Sequence, residues 1–318
     1  MSKENYCLIK ERYMQNNAKP FVKWVGGKSQ LIPAIEQILP EDFSECEITY
    51  IEPFVGGGAV FFWILQNYSN ITRAIINDIN PDLTIAYRII KNNPEKLICL
   101  LRDIQNEYLP LNEEKRKEYY LNMRKCFNTK KLNDIENTAL FIFLNKTCFN
   151  GLYRVNSKGL FNVPFGRYKN PKICDEETIL ADSELLQRAE ILTVDFEQTL
   201  QYADSHSFFY LDPPYKPLSR TSSFNSYTKE NFDDSEQIRL ARFCTTLEVL
   251  GHRFILSNSD LKGKNPDDDF FDKLYANFNI KRVYANRMVN AKPDKRGKLT
   301  ELLITNIPIK QHKHVGSV

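Results

Sequence analysis

The sequence predicts an α/β protein: a doubly wound, seven-stranded, Rossmann-like sheet that carries an inserted helical plus β-hairpin domain. Three observations lead there. Short β-rich runs alternate with helical patterns along the body of the chain. A glycine-rich turn follows the first of these runs, and residues 82–189, far more than a crossover needs, separate the second run from the third.

In chain order, residues 1–18 form a polar lead-in with Lys3, Glu4, Lys10, Glu11 and Arg12 and no apolar leader segment. The expected strands are 48–53, 73–77, 190–194, 208–211, 253–257, 280–285 and 301–305, each rich in β-branched or aromatic residues. A helix is expected over 59–66 and another from Asp82. Within the insertion, apolar spacing predicts helices over 94–108, 113–125 and 134–146, enough for a small bundle. The division that follows is a catalytic domain of residues 19–81 and 190–306, an inserted domain of 82–189, and polar termini at 1–18 and 307–318.

Composition narrows the class. The 318 residues are 42% hydrophobic, as in ordinary globular proteins, and the formal charge of +3 is too small to decide for or against nucleic acid. Seven cysteines, an odd number with no CxxC pair, make neither a disulfide framework nor a metal site, so reduced thiols in the cytoplasm are expected. His312 and His314 read as solvated tail residues. No stretch approaches the ~18 apolar residues that a membrane span requires.

Charge distribution says more than its total. Between Asn145 and Cys174 there is no acid, while Lys146, Arg154, Lys158, Arg167, Lys169 and Lys172 alternate with aromatics and asparagines. Asn156-Ser157-Lys158-Gly159 reads as a hairpin turn. Such a ribbon suits phosphate contact, base-edge hydrogen bonding and wedging between stacked bases; a solvated hairpin is the plainer alternative.

Two loops carry the chemistry. Tyr210-Leu211-Asp212-Pro213-Pro214-Tyr215 follows the apolar run 208–211, so it lies where a strand's carboxyl end faces a substrate crevice. There Asp212 and the Pro213 carbonyl can accept the two N–H groups of an exocyclic amine, Pro214 stiffens the turn and Tyr215 can stack on the ring. An ordinary Pro-Pro turn is the structural alternative. The other loop, Glu52-Pro53-Phe54-Val55-Gly56-Gly57-Gly58, lets the backbone pass close to a nucleotide-type ligand beside a helix N-terminus. A dinucleotide fingerprint would need a third glycine at 61, where Phe61 stands, and a P-loop around Gly26-Gly27-Lys28-Ser29 would need glycine at 22, where Val22 stands. Asp78, after the second strand, is placed to accept ribose hydroxyls or else to cap the helix from Asp82.

Taken together, Phe21-Val22-Lys23-Trp24-Val25-Gly26-Gly27-Lys28, the 52–58 loop, the 150–169 ribbon and Asp212-Pro213-Pro214-Tyr215 occur in the order and spacing of the Dam-type (alpha group, D12 class) DNA adenine-N6 methyltransferases, which the chain resembles over residues ~19–306. The likeness to the GATC-methylating branch, which includes DpnII-type restriction–modification enzymes, implies S-adenosyl-L-methionine as cofactor and double-stranded DNA as partner. It implies no membrane, no metal and a monomer on DNA. It also implies a cofactor site of Trp24, Lys28, Phe54, Gly56, Gly57, Gly58, Asp78 and Asp212, with Asp195 and Phe196 near the cofactor adenine. On the DNA side, Lys23 and Arg154 match guanine-reading positions, Asn150 and Leu152 match positions at the recognised site, and Phe149 matches a tyrosine that wedges into the duplex. Pro164 matches a position touching a thymine methyl, and Arg167 a phosphate-binding one. Phe149 keeps the ring and lacks the hydroxyl; the stretch 262–269 departs by its high charge, and the tail beyond Asn306 matches nothing assignable in the family. The other readings are an RNA or protein amide methyltransferase, a dinucleotide oxidoreductase, and an inactive DNA-binding regulator on the same scaffold.

Overall fold

The structure, a computed structural model, describes residues 18–24, 26, 28–215, 232–263, 265–286 and 298–308. Expectations for the lead-in up to 17 and for the tail from 309, including His312 and His314, lie outside the described residues, as do Val25 and Gly27 of the first motif.

Seven strands form one sheet: β1 (Ile48–Glu52), β2 (Ile71–Asn77), β3 (Ala189–Leu192), β4 (Ser207–Leu211), β5 (Arg253–Ser259), β6 (Asn279–Asn286) and β7 (Lys298–Thr305). Their order is β3-β2-β1-β4-β5-β7-β6; β7 runs antiparallel to both neighbours, and the pairings from β3 to β5 are parallel. Strands buried on both faces need side chains that are apolar throughout, which is why β1 and β4 read as short continuous runs. Their side chains alternate between two cores. Tyr50, Ile76, Phe208, Tyr210, Ile255 and Leu303 enter one, and Ile51, Ile75, Phe209, Leu211, Leu256 and Leu302 the other.

Chain order reverses between β1 and β4: β1 leads outward to β2 and β3, β4 leads outward to β5. In an open α/β sheet such a reversal leaves a crevice above the strands' carboxyl ends. The glycine loop follows β1 and Asp212 follows β4, so the two chemical loops foreseen in the sequence meet there.

Helices α1 (Ile32–Glu36), α2 (Ala59–Asn67) and α3 (Pro81–Asn92) precede the longer helices of the insertion, α4 (Pro94–Tyr108), α5 (Glu113–Phe127) and α6 (Asp134–Thr147). Helix α6 starts with a capping box, the Asn133 side chain accepting from the Glu136 backbone while Glu136 returns to Asn133. It is buried on nearly every side, as expected of a helix apolar all round. Tyr108, Tyr120, Phe127 and Phe143 of these helices join the same apolar cluster as Ile76 and Phe208 of the sheet. Helix α7 (Glu176–Leu186), which the sequence reading did not assign, packs beside α3 and β3; α8 (Asp234–Val249) and α9 (Phe270–Leu274) cover the other face.

One expectation is corrected. The 150–169 ribbon makes the turn foreseen at Asn156, whose side chain accepts from the Lys158 and Leu160 backbones, but its flanks do not extend into strands; they pair as the isolated bridges 148↔165 and 155↔161 with a few backbone bonds around them. Asn150 sits at φ 57° and Arg167 at φ 53°, and Pro164 has no N–H to give, so a continuous ladder cannot propagate.

Candidate active site and nucleic-acid interface

Asp212 leaves the end of β4 with its carboxylate turned to β5. Its Oδ1 accepts from Ser257 Oγ at 2.8 Å and pairs with Lys28 Nζ at 3.2 Å. Desolvation raises its pKa above the usual carboxylate value, opposed by the Lys28 ammonium and the Ser257 hydroxyl. Ser257 is itself held by Tyr210, whose hydroxyl lies 3.2 Å away. Three residues on, Tyr215 donates its hydroxyl to Glu301 Oε2 at 2.7 Å, and its ring carries the Lys28 ammonium 4.0 Å from the centroid. Lys28, only 5% exposed, also donates to the Gly26 carbonyl at 2.7 Å. Between them, the Pro214 carbonyl accepts from Gln237 of α8 at 3.3 Å, and Asn258 holds the other end of that amide at 3.0 Å. The Pro-Pro loop is thus fixed at Asp212, at the Pro214 carbonyl and at the Tyr215 hydroxyl, with Pro213 buried between them.

Beside it, Gly56 and Gly58 adopt φ 48° and 77°, a left-handed turn that closes by Gly58 N–H donating to the Val55 carbonyl. A Cβ at Gly56 would stand 2.9 Å from the Trp24 ring, and one at Gly58 2.6 Å from the Tyr87 hydroxyl. Gly57 lies against the Trp24 Cβ. Asp78, at the end of β2, accepts the Gly56 N–H at 3.1 Å and the Asn80 N–H at 2.8 Å. Burial lifts its pKa to about 6, with the two backbone bonds pulling the other way. The cap of α3 belongs to Asn80, whose side chain accepts from Asp82 and Leu83, so Asp78 is released from that task. Further along the crevice Phe54, Phe196 and Phe232 form an aromatic wall with centroids 5.3–6.2 Å apart. Asp195 is turned to Arg239, which also lies 4.3 Å over the Phe196 ring, and accepts from the Glu197 backbone. A bare backbone turn, a carboxylate that can accept hydroxyls and an aromatic wall together could hold the ribose and base of a nucleoside-type ligand.

The ribbon stands next to this crevice. Trp24 stacks on Tyr153 at 5.6 Å, and Tyr153 donates to buried Asp82 at 2.7 Å. Asn145 ties two segments together: its Oδ1 accepts from Lys23 N–H at 2.8 Å, and its Nδ2 donates to the carbonyls of Lys23 and Gly151 at 2.8 and 3.0 Å. Exposed Lys23 places its ammonium 4.6 Å from the Tyr168 ring. Arg154 is oriented by Asn162, which accepts from its Nε at 2.8 Å. Phe149, 51% exposed, and Asn150 project from the loop; Leu152 packs half-buried against the core. Pro164 is exposed, and its carbonyl receives the Phe149 N–H at 2.8 Å. Arg167 is exposed and pairs with Glu113 at 3.5 Å.

The structure therefore gathers Trp24, Lys28, the glycines, Asp78, Asp212 and Tyr215 around one crevice, with Phe54, Asp195 and Phe196 along its wall and the ribbon residues at its rim. Sequence reasoning missed Ser257, Gln237 and Asn258. For Ser257 and Asn258 the sequence signal is the polar cluster Ser257-Asn258-Ser259 that ends a largely apolar strand; Gln237, on α8, carries none.

Residues 24–289 match the family described as D12 class N6 adenine-specific DNA methyltransferase. The type II methyltransferase M.MjaIII of Methanocaldococcus jannaschii is 53% identical over 292 residues, which span 91% of this chain and 99% of that protein. M1.LlaDCHI, a type II methyltransferase of Lactococcus lactis subsp. cremoris, is 42% identical, with 91% and 96% covered. A DNA adenine methylase of Haemophilus influenzae is 35% identical, with 90% and 92% covered.

Proposed function

The chain belongs to the D12 class of N6 adenine-specific DNA methyltransferases, and on that premise we infer that it takes its methyl group from S-adenosyl-L-methionine and delivers it to an adenine rotated out of duplex DNA, within the sequence GATC. The observation that carries this reading is the Lys28 ammonium held between the Asp212 carboxylate, at 3.2 Å, and the face of Tyr215, at 4.0 Å. A cation is stable at that point, so the adenine amine, which methyl transfer makes positive, takes the place of the Lys28 ammonium there.

When bound, the cofactor supplies an electrophilic methyl group. The protein's own part is orientation and charge. Stacked inside a duplex, N6 cannot reach this crevice, so the base must leave the helix. Tyr215 stacks on it, while Asp212 and the Pro213 carbonyl accept its two N–H groups, which favours a tetrahedral nitrogen with its lone pair free to attack. Asp212, desolvated and held by Ser257, then stabilises the charge that develops. On the cofactor side, Asp78 accepts ribose hydroxyls, Gly56 to Gly58 let the donor pass close to the backbone, and Trp24, Phe54, Asp195 and Phe196 line the adenine end.

Residues 82–189 act as the target-recognition region. Phe149 wedges into the stack, Lys23 and Arg154 read guanines, Asn150 and Leu152 border the recognised site, Pro164 meets a thymine methyl and Arg167 meets phosphate. Incubating the protein with S-adenosyl-L-methionine and unmethylated genomic DNA, then mapping N6-methyladenine by single-molecule sequencing, tests this. Methylation confined to GATC is the expected result; another motif overturns the recognition assignment alone, and no mark on DNA overturns the whole reading.

A further inference from the structure

Glu301 lies on β7, opposite Ser259 of β5 and Val283 of β6, and so is held between two paired strands of the sheet. From there its carboxylate reaches Tyr215 and takes the phenol's only proton in a 2.7 Å hydrogen bond. We propose that Glu301 is a positioning residue for methyl transfer: it fixes the plane of the Tyr215 ring and, by drawing on the hydroxyl proton, enriches that ring's π density beneath the charge that develops during the reaction. The proposal rests on the assignment of Tyr215 as the stacking residue made above.

Two observations support it. A phenol hydrogen-bonded to a carboxylate is more electron-rich than one facing water, and a cation over a ring is attracted in proportion to that density. The ring already holds a cation on its face, the Lys28 ammonium 4.0 Å from the centroid. Orientation follows from geometry: the Gln237 amide holds the Pro214 carbonyl on one side of Tyr215, and the hydroxyl bond to β7 anchors the far end of its ring.

The test is a double-mutant cycle on the full-length protein with S-adenosyl-L-methionine and a duplex substrate that the wild type methylates. Glu301→Ala should lower kcat about tenfold, the loss expected of one hydrogen bond to a charged group, with KM for DNA and cofactor unchanged. Glu301→Gln, which keeps an acceptor and loses the charge, should fall between. In a Tyr215→Phe background neither change should lower kcat further, because the bond is already gone. Equal losses in both backgrounds, or a fall in Tm with no change in kcat of the folded enzyme, would overturn the proposal. Wild-type protein that leaves DNA unmethylated would instead remove the functional reading beneath it.

Discussion

Replacing Asp78 by Asn should change the protein's response to pH in a way that can be worked from the structure. Burial raises the Asp78 pKa from 3.8 to about 6, so the folded state favours the protonated carboxyl. The stabilisation linked to that shift is complete below the unfolded value and is lost as pH rises through the folded one. Two units correspond to ~3 kcal/mol at the low-pH limit, and between pH 8 and pH 5 the change is about 1.4 kcal/mol. Asn does not titrate. The difference in unfolding free energy between wild type and Asp78→Asn, measured by urea denaturation without cofactor, should therefore shift by that amount in favour of the wild type as pH falls from 8 to 5. The constant offset from rearranged hydrogen bonds to Gly56 and Asn80 drops out of the comparison. Cofactor affinity should respond in the opposite sense, because ribose hydroxyls donate to the ionised carboxylate: below pH 6 the wild type should lose about tenfold per unit, and the variant should be flat. A stability difference that is constant over this range, or wild-type cofactor binding that is level from pH 8 to 5, would refute the assignment of Asp78 as the titrating ribose ligand.

Ser257→Ala removes the hydroxyl 2.8 Å from Asp212 and should lower kcat roughly 10- to 100-fold with cofactor affinity intact, as read by single-turnover methylation and calorimetry. Gly58→Ala forces a Cβ to within 2.6 Å of the Tyr87 hydroxyl at φ 77°; thermal unfolding should show a loss of about 2 kcal/mol or more, together with loss of cofactor binding. Phe149→Ala, at an exposed loop tip, should leave stability within about 0.5 kcal/mol. It should slow methylation of a paired adenine while sparing an adenine opposite an abasic site, which is already unstacked; equal losses on the two substrates would count against the wedge.

Much of this molecule could be seen in the chain itself. The central parallel strands were legible because strands buried on both faces need apolar runs such as 208–211, and the two loops that follow 48–53 and 208–211 announced themselves by residue types few other structures require. What stayed hidden depends on register. Ser257 serves Asp212 because β5 lies beside β4 with Leu256 opposite Leu211, and Glu301 serves Tyr215 because β7 inserts antiparallel between β5 and β6; neither pairing leaves a mark in a single sequence. The missing strands of the ribbon have a local cause, the left-handed Asn150 and Arg167 and the Pro164 nitrogen, which a composition rich in aromatic and β-branched residues masks. Asn80, not Asp78, caps α3 because it directly precedes the first helical residue, where its side-chain oxygen reaches the Asp82 and Leu83 N–H groups.

The Asn145 side chain has a bearing on how target preference can be moved between related enzymes. One amide holds Lys23 on one side and Gly151 on the other, and Gly151 is packed so closely that a Cβ there would meet the Lys23 side chain at 2.4 Å. Segments far apart in the chain thus present a single face. On the target-recognition role proposed above, the 150–169 stretch is not an interchangeable cassette: a graft that transfers it without the Lys23-Trp24 segment would seat a foreign loop on the wrong abutment, and a chimaera meant to change target sequence should exchange both pieces together with the helix end that joins them.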